Sequence, residues 1–467
     1  MRVLPLVPPL LLIPMLGGCM MGPNFHGAPP PPASMSKTFV RADQAAMPVP
    51  PQLTPWWRTL NDPLLDQLIT RALSSNPSIE VAEARVRQAR SQMRGARAAL
   101  APVVGAGAGA GNIQAPGLVT GGEAKSSSLF LAGFDALWEI DLFGGARRNI
   151  EATRAQFGAA QADADDTRLT LTAEIARQYI ALRASRQRLE IARYLLTNQQ
   201  KIADLTAQLE GAGKVSRIER EQTDRGVEAR RQTVAALEAE VNDHKDAIAV
   251  LAGEAPGALD TMLDGPGTVP LPPVEVEVGD PAAMLARRPD IRAAAQRLHA
   301  ANAGIGVAEA ARMPRVSLAG VVGLGGALKG DITSADNLWS VAGPTIQWNL
   351  ADFGRGRAGV DQAVAGRDEA AAGYRATVLA ALQDAEGSLN RFGEARKMFA
   401  MQARNGLSAV HSNDLVQQSW RVGRSSALVA LAAENEQLAA EDLLVQARMA
   451  LTTQFVALQK ALAMGVN

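Results

Sequence analysis

Every second position from Phe130 to Leu142 is apolar. The even positions Phe130, Ala132, Phe134, Ala136, Trp138, Ile140 and Leu142 are apolar, and the odd ones include Asp135, Glu139 and Asp141. A strand turns successive side chains to opposite faces, so this pattern predicts one apolar and one polar wall. Farther along, Ile346, Trp348 and Leu350 share one parity, and Thr345, Gln347 and Asn349 the other. Each of these segments has a partner just upstream: the Gly/Ala-rich run Val103 to Gly111, and Val316, Leu318, Val322 and Leu324 alternating with Arg315, Ser317, Ala319 and Gly323. Four strands are predicted, at about 103–111, 129–142, 315–325 and 340–350.

The rest of the chain has helical spacing. Nothing breaks the pattern from Gly145 to about Glu210, and no proline interrupts Arg355 to about Arg421. At 1.5 Å rise per residue, each of these helices would run about 100 Å. Ile175, Leu182, Leu189 and Leu196 keep a seven-residue spacing, as do Leu444, Leu451 and Leu458, with Leu431, Leu438 and Val445 on a second track. That is coiled-coil packing, and abundant alanine lets helices approach closely. Shorter helices are predicted from about Leu64 to Leu100, Ser216 to Leu251, Pro281 to Arg312 and Ser425 to Leu462. Turns at Gly211-Ala212-Gly213 and Val422-Gly423-Arg424 fold each long helix back on the next.

The whole plan occurs twice. Pro77, Ile79, Ala82, Arg85, Ala89, Ala96, Ala98, Ala99 and Pro102 recur 212 positions later, ending at Pro314, and Trp138, Phe143, Gly144 and Arg147 recur 210 positions later as Trp348, Phe353, Gly354 and Arg357. This internal duplication divides the chain into a first repeat at 56–253, a Pro/Gly-rich connector at 254–280 and a second repeat at 281–467.

Four strands with an apolar face can neither close into a barrel nor hide their edges, so several chains must contribute. Asp135, Glu139 and Asp141 would be costly against hydrocarbon and harmless in a water-filled lumen. A soluble sheet packed on one face gives the same alternation; the N-terminus and the duplication favour the membrane. Arg2, a short apolar run and then Leu16-Gly17-Gly18-Cys19 read as a signal peptide, 1–18, ending in a lipobox. Cys19 is the single cysteine of the 467 residues and stands where acylation, including palmitate, needs it; the alternative is an incidental cysteine. Residues 19–55 would form a lipid-anchored tether, stiff at Pro29-Pro30-Pro31-Pro32. Beyond the signal peptide no stretch approaches the roughly 20 apolar residues of a membrane helix, so any span is made of strands.

Lys+Arg and Asp+Glu both number 47, and this balance offers no basic surface to nucleic acid. His26, His244, His299 and His411 are scattered without ligand-spaced partners, so neither metal, cofactor nor enzyme is expected. Gly320, Gly323, Gly325 and Gly326 are not a phosphate-cradling loop, since no helix opens after them.

Trp56-Trp57 with Asp62-Pro63-Leu64-Leu65, Asn76-Pro77, Trp138-Glu139-Ile140-Asp141-Leu142-Phe143-Gly144, Arg288-Pro289-Asp290-Ile291-Arg292 and Ile305-Gly306-Val307-Ala308 closely resemble the outer-membrane efflux proteins, the TolC-like exit ducts. The lipobox places the chain beside the lipoprotein branch that serves resistance-nodulation-division pumps. The resemblance covers nearly all of the mature chain. It implies an α+β membrane protein, a homotrimer in which three chains give four strands each to one 12-stranded outer-membrane β-barrel, continued by a periplasmic α-helical barrel. It also implies a passive efflux duct for drugs, as in multidrug resistance, or for other small molecules. A periplasmic adaptor (membrane fusion) protein and an inner-membrane pump would dock at the helical tips.

Under that resemblance the tips are Gly213, Lys214, Ser216 and Arg217, and Gly423, Arg424 and Ser425. The lipid face of the barrel would carry Phe130, Phe134, Trp138, Ile140, Ile346 and Trp348 against outer-membrane lipid. Relatives carry acids at the periplasmic aperture, where this chain reads Leu428-Val429-Ala430-Leu431 and its first acid is Glu434. The constriction is then either hydrophobic or formed deeper in by Glu434 and Glu436. Two other functions stay open: an exit duct for type I protein secretion, and a coiled-coil lipoprotein that spans no membrane.

Overall fold

The computed structural model describes residues 20–42, 46–47, 55–115 and 125–465. The signal peptide and Cys19 lie outside these residues. In chain order the elements are β1 (Ala46–Met47), α1 (Pro63–Ser75), α2 (Pro77–Ala98), β2 (Val103–Ala115), β3 (Lys125–Ile140), α3 (Gly145–Gly211), α4 (Arg217–Leu251), α5 (Asp260–Leu263), β4 (Val276–Glu277), α6 (Pro281–Arg287), α7 (Pro289–Ala310), β5 (Arg315–Gly326), β6 (Leu338–Gln347), α8 (Arg355–Arg421) and α9 (Ala427–Ala461). A turn of 3-10 helix, Trp56–Leu60, precedes α1.

The two long helices fall where the unbroken periodicity puts them, each 67 residues in length. The helices expected at 64–100 and 281–312 are each divided in two, at Asn76-Pro77 and Arg288-Pro289. Proline disfavours helical backbone in the residue before it, and Asn76 and Arg288 turn out of the helix with ψ 127 and 123. Proline then opens the next helix, where its missing N–H costs nothing. All four strands are found, with β2 running on to Ala115 and β3 starting already at Lys125, beyond what the alternation alone indicated.

The molecule divides into two units, and the division cuts the continuous helices α2, α3, α7 and α8. One unit contains residues 1–29, 85–161 and 293–375, and with them the four-stranded antiparallel sheet ordered β2-β3-β5-β6. Here the start of the segment expected as a lipid-anchored tether, Met21 to Asn24, is docked. Met21 donates its backbone N–H to Phe143, buried Arg148 donates to the carbonyls of Met21 and Gly22 and to Asn24, and Asn302 donates to the Pro23 carbonyl. Glycine makes the seat possible: Gly22 has φ +82, and a Cβ on it would lie 2.4 Å from the Gly306 Cα.

The other unit contains residues 30–84, 162–292 and 376–467. Its core gathers Leu65, Leu68, Ile69, Ile175, Ile180, Leu182, Ile248 and Leu458, all fully buried, and Trp56 stands edge-on to Phe455. The 254–280 connector is strapped to α3, where Arg183 donates to the Gly265 carbonyl at 2.7 Å and Arg186 to that of Asp264 at 2.8 Å. Lys245 pairs with Asp264 at 2.6 Å, and β4 of the connector runs parallel to β1. Glu386 receives the backbone N–H groups of Val40 and Arg41 at 2.9 and 2.8 Å, which fixes the N-terminal segment to α8.

Candidate functional site

The ladder register fixes the faces of the sheet. Phe134 stands opposite Ala106 and Val322, and Val322 opposite Ser340; Trp138 stands opposite Leu318, and Leu318 opposite Pro344. Cross-strand partners share a face, so the even-numbered side chains of all four strands lie together. Between the Ala110–Phe130 row and the Ile140–Val316 row, Ser340 is the only polar side chain on that face. The odd-numbered face carries Asp135, Glu139, Arg315, Ser317, Thr345 and Gln347. Phe130, Phe134, Trp138, Ile140 and Ile346 are therefore together on the apolar wall, where Phe134 and Ile346 are largely exposed. Beyond Ala110 the even face turns polar, with Ser128 hydrogen-bonded to Asn112 at 2.9 Å. Phe130 to Ile140 spans 11 residues, the length of a tilted membrane strand at about 9–11 residues.

Both copies bend from strand to helix in the same way. Trp138 Nε1 donates to the Leu100 carbonyl at 2.9 Å, and Trp348 Nε1 donates to that of Arg312 at 3.2 Å. Trp348 lies one residue past β6, so it belongs to this junction. Asp141 caps α3 by accepting from Ala146 and Arg147 N–H, and Asp352 caps α8 by accepting from Gly354 and Gly356. Gly144 and Gly354 take φ +79 and +92, the left-handed turn that frees the chain to change direction.

At the other ends of the long helices the tips are also copies. Gly213 (φ +68) and Gly423 (φ +74) end α3 and α8, with Lys214 N–H reaching the Leu209 carbonyl and Arg424 N–H that of Ser419. Ser216 caps α4 in a reciprocal pair with Glu219, and Ser426 caps α9. Lys214, Arg217, Gly423 and Arg424 are exposed, while Ser425 is half-buried. After the caps the copies diverge. The first continues with Arg217, Glu219, Arg220 and Glu221, with Arg220 bound to Glu210 at 3.0 Å; the second continues with Ala427, Leu428, Val429 and Ala430. Leu428, Leu431 and Glu434 are half-buried, and Val429 and Glu436 are exposed.

Two cross-links between hairpins escaped the sequence reading. Arg188 of α3 binds Asp442 of α9 at 2.9 Å, and Asn198 of α3 donates to Asn435 of α9 at 3.3 Å. Asn198 is 3% exposed, and an asparagine just past the heptad residue Leu196 was the available signal. Two of the four histidines have side-chain partners: His299 stacks on Phe25 and binds Glu151, and His244 binds Gln178. Among the described residues no cluster of three His, Cys, Asp or Glu is arranged to hold a metal ion, and no helix is long and apolar enough to cross a membrane.

The outer membrane efflux protein family matches residues 68–254 and 281–464, one segment in each repeat. The pyoverdine export outer membrane protein OpmQ of Pseudomonas aeruginosa is 30% identical over 88% of this chain and 87% of its own length. The fold is similar to that of the outer-membrane channel OprN, with 33% identity, a TM-score of 0.86 and coverage of 96% of this chain and 99% of the other. It is also similar to the open state of the MtrE outer membrane channel of Neisseria gonorrhoeae, with 26% identity, a TM-score of 0.81 and coverage of 96% and 99%. The two-faced sheet with open edges β2 and β6 is thus one third of a trimeric, 12-stranded barrel, and the chain belongs to the outer membrane efflux protein family.

Proposed function

We propose that this protein is the passive exit duct of a tripartite efflux system, carrying drugs or other small molecules across the outer membrane from an inner-membrane pump through a periplasmic adaptor. The sheet carries this reading: its even face offers hydrocarbon a belt that is apolar except at Ser340, and its odd face offers Asp135, Glu139 and Arg315 to a water-filled lumen. Cys19 is the acylation site, and the acyl chains hold the docked N-terminal segment to the membrane. Gly213, Lys214, Ser216 and Arg217, with Gly423, Arg424 and Ser425, present the adaptor-docking surface. The test is complementation. Expressed with a resistance-nodulation-division pump and its periplasmic adaptor, in a strain lacking its own ducts, the protein should restore small-molecule resistance. Export of a protein substrate instead would establish type I secretion.

The aperture is formed by Leu428, Val429 and Leu431, whose apolar ring excludes water by dewetting, with Glu434 behind it. Val429→Asp should then raise the cation conductance of the closed pore in planar bilayers without any partner. Unchanged conductance and selectivity would place the constriction elsewhere, with Glu434 and Glu436 the next positions to substitute.

A further inference from the structure

Each strand of the sheet is joined to one helix: α2 leads into β2, α3 follows β3, α7 leads into β5, and α8 follows β6. With strand order β2-β3-β5-β6, the helices follow the order α2, α3, α7, α8. When barrel closure sets a second copy's β2 against β6, that copy's α2 comes beside α8. The duplication makes this junction the counterpart of the α3–α7 contact inside the chain. Phe143 maps to Phe353 at 210 positions, so α3 becomes α8; Pro289 maps back to Pro77 at 212 positions, so α7 becomes α2.

The α3–α7 contact holds the Glu151–His299 hydrogen bond at 2.9 Å and the Asp165–Arg292 ion pair at 3.2 Å. It also holds a close fit of large against small, in which a Cβ on Gly306 would lie 2.6 Å from the Met21 carbonyl oxygen and 2.7 Å from the Arg148 Cγ. Mapped through the repeat, Glu151 and His299 become Asp361 and Arg87, so an acid still faces a basic side chain. Asp165 and Arg292 become Arg375 and Glu80, a pair with both signs exchanged. Arg148 and Gly306 become Ala358 and Arg94, with large and small exchanged. All six mapped residues are exposed, and Glu80, Arg87, Arg94, Asp361 and Arg375 have no ion-pair partner among the described residues. Simultaneous reversal on both helices preserves complementarity at each position, whereas independent drift would break it.

We infer that α8 of one protomer docks on α2 of the next through Asp361 with Arg87 of the partner subunit, and Arg375 with Glu80 of the partner subunit. The partner's Arg94 lies over Ala358. The occupant of the exposed α8 face is a second copy of this chain, so the inference rests on the trimeric duct. The contact is heterologous, joining two different faces, and it closes into a ring only when the rotation between copies does.

The experiment is a charge exchange read by the temperature at which trimers dissociate in mild detergent. Arg87→Asp and Asp361→Arg should each lower that temperature, and the double variant should recover at least half of the loss. Because a variant can fail to assemble, Arg87→Cys with Asp361→Cys is treated in parallel with a short bismaleimide. It should give covalent trimers, while Arg97→Cys with Asp361→Cys, displaced along α2 by about 15 Å, should not. An intact trimer with neither rescue nor selective cross-linking overturns the inference and leaves the duct standing. A protein that forms no trimer overturns both.

Discussion

The indole of Trp138 donates to the backbone carbonyl of Leu100 at 2.9 Å, and its counterpart Trp348 does the same to Arg312. Leu100 and Arg312 follow the ends of α2 and α7, where helix carbonyls have run out of backbone donors. Each tryptophan thereby closes a helix end, Trp138 fixing α2 to β3 and Trp348 fixing α7 to the junction just past β6. Trp138→Phe keeps the ring and deletes the donor, and should cost about 1 kcal/mol of unfolding free energy. Trp348→Phe should cost a similar amount. Thermal unfolding in detergent measures both, and no shift in either would mean that water replaces the indole without loss.

Arg188 and Asp442 join the first hairpin to the second with side chains about three-quarters buried, at 26% and 27% exposure. A coupling of about 0.5–1 kcal/mol is expected at such a site. If the aperture opens when the hairpins separate, Asp442→Ala should raise the resting conductance in planar bilayers. Arg188→Ala should do likewise, and the double variant should add little. Fully additive effects would show that the two residues act through different partners.

Asp166 on α3 is half-buried, and burial raises its pKa, with Asp290 and Asp163 pushing the same way and Lys460 and Arg288 opposing. Below the ordinary aspartate range of about 4 the group is protonated in both folded and unfolded chains and has no effect on stability. As pH rises through the raised folded value, the unfolded chain has released the proton while the folded chain still holds it, so stability falls. Asp166→Asn should therefore raise the unfolding temperature at pH 7 and leave it unchanged near pH 3.5. An equal gain at both values would point to packing.

Cys19→Ser should abolish acylation and signal-peptide removal by the lipoprotein peptidase. The barrel, once assembled, should still hold the membrane, because strands with an apolar belt anchor more strongly than acyl chains. Metabolic labelling with a fatty-acid analogue reads the first effect and membrane fractionation the second. Label persisting on the variant would move the acylation site elsewhere.

Period-two alternation and unbroken helical periodicity in the sequence alone placed all four strands, both 67-residue helices and the tip turns at Gly213 and Gly423. Those features depend on near neighbours: faces repeat every second residue in a strand, glycine adopts positive φ, and proline turns Asn76 and Arg288 out of the helix. The duplication was legible for the same reason, as a fixed offset between identical residues. What only the tertiary structure decided are contacts across long separations. Arg148 holding the carbonyls of Met21 and Gly22, Glu386 chelating the Val40 and Arg41 amides, and Arg188 meeting Asp442 join residues between 126 and 346 positions apart. No periodicity encodes such partners, because an exposed arginine and a buried, carbonyl-bound one look the same in a sequence. The N-terminal prolines read locally as a stiff tether, and it took the folded groove around Gly22 and Gly306 to show the segment before them docked.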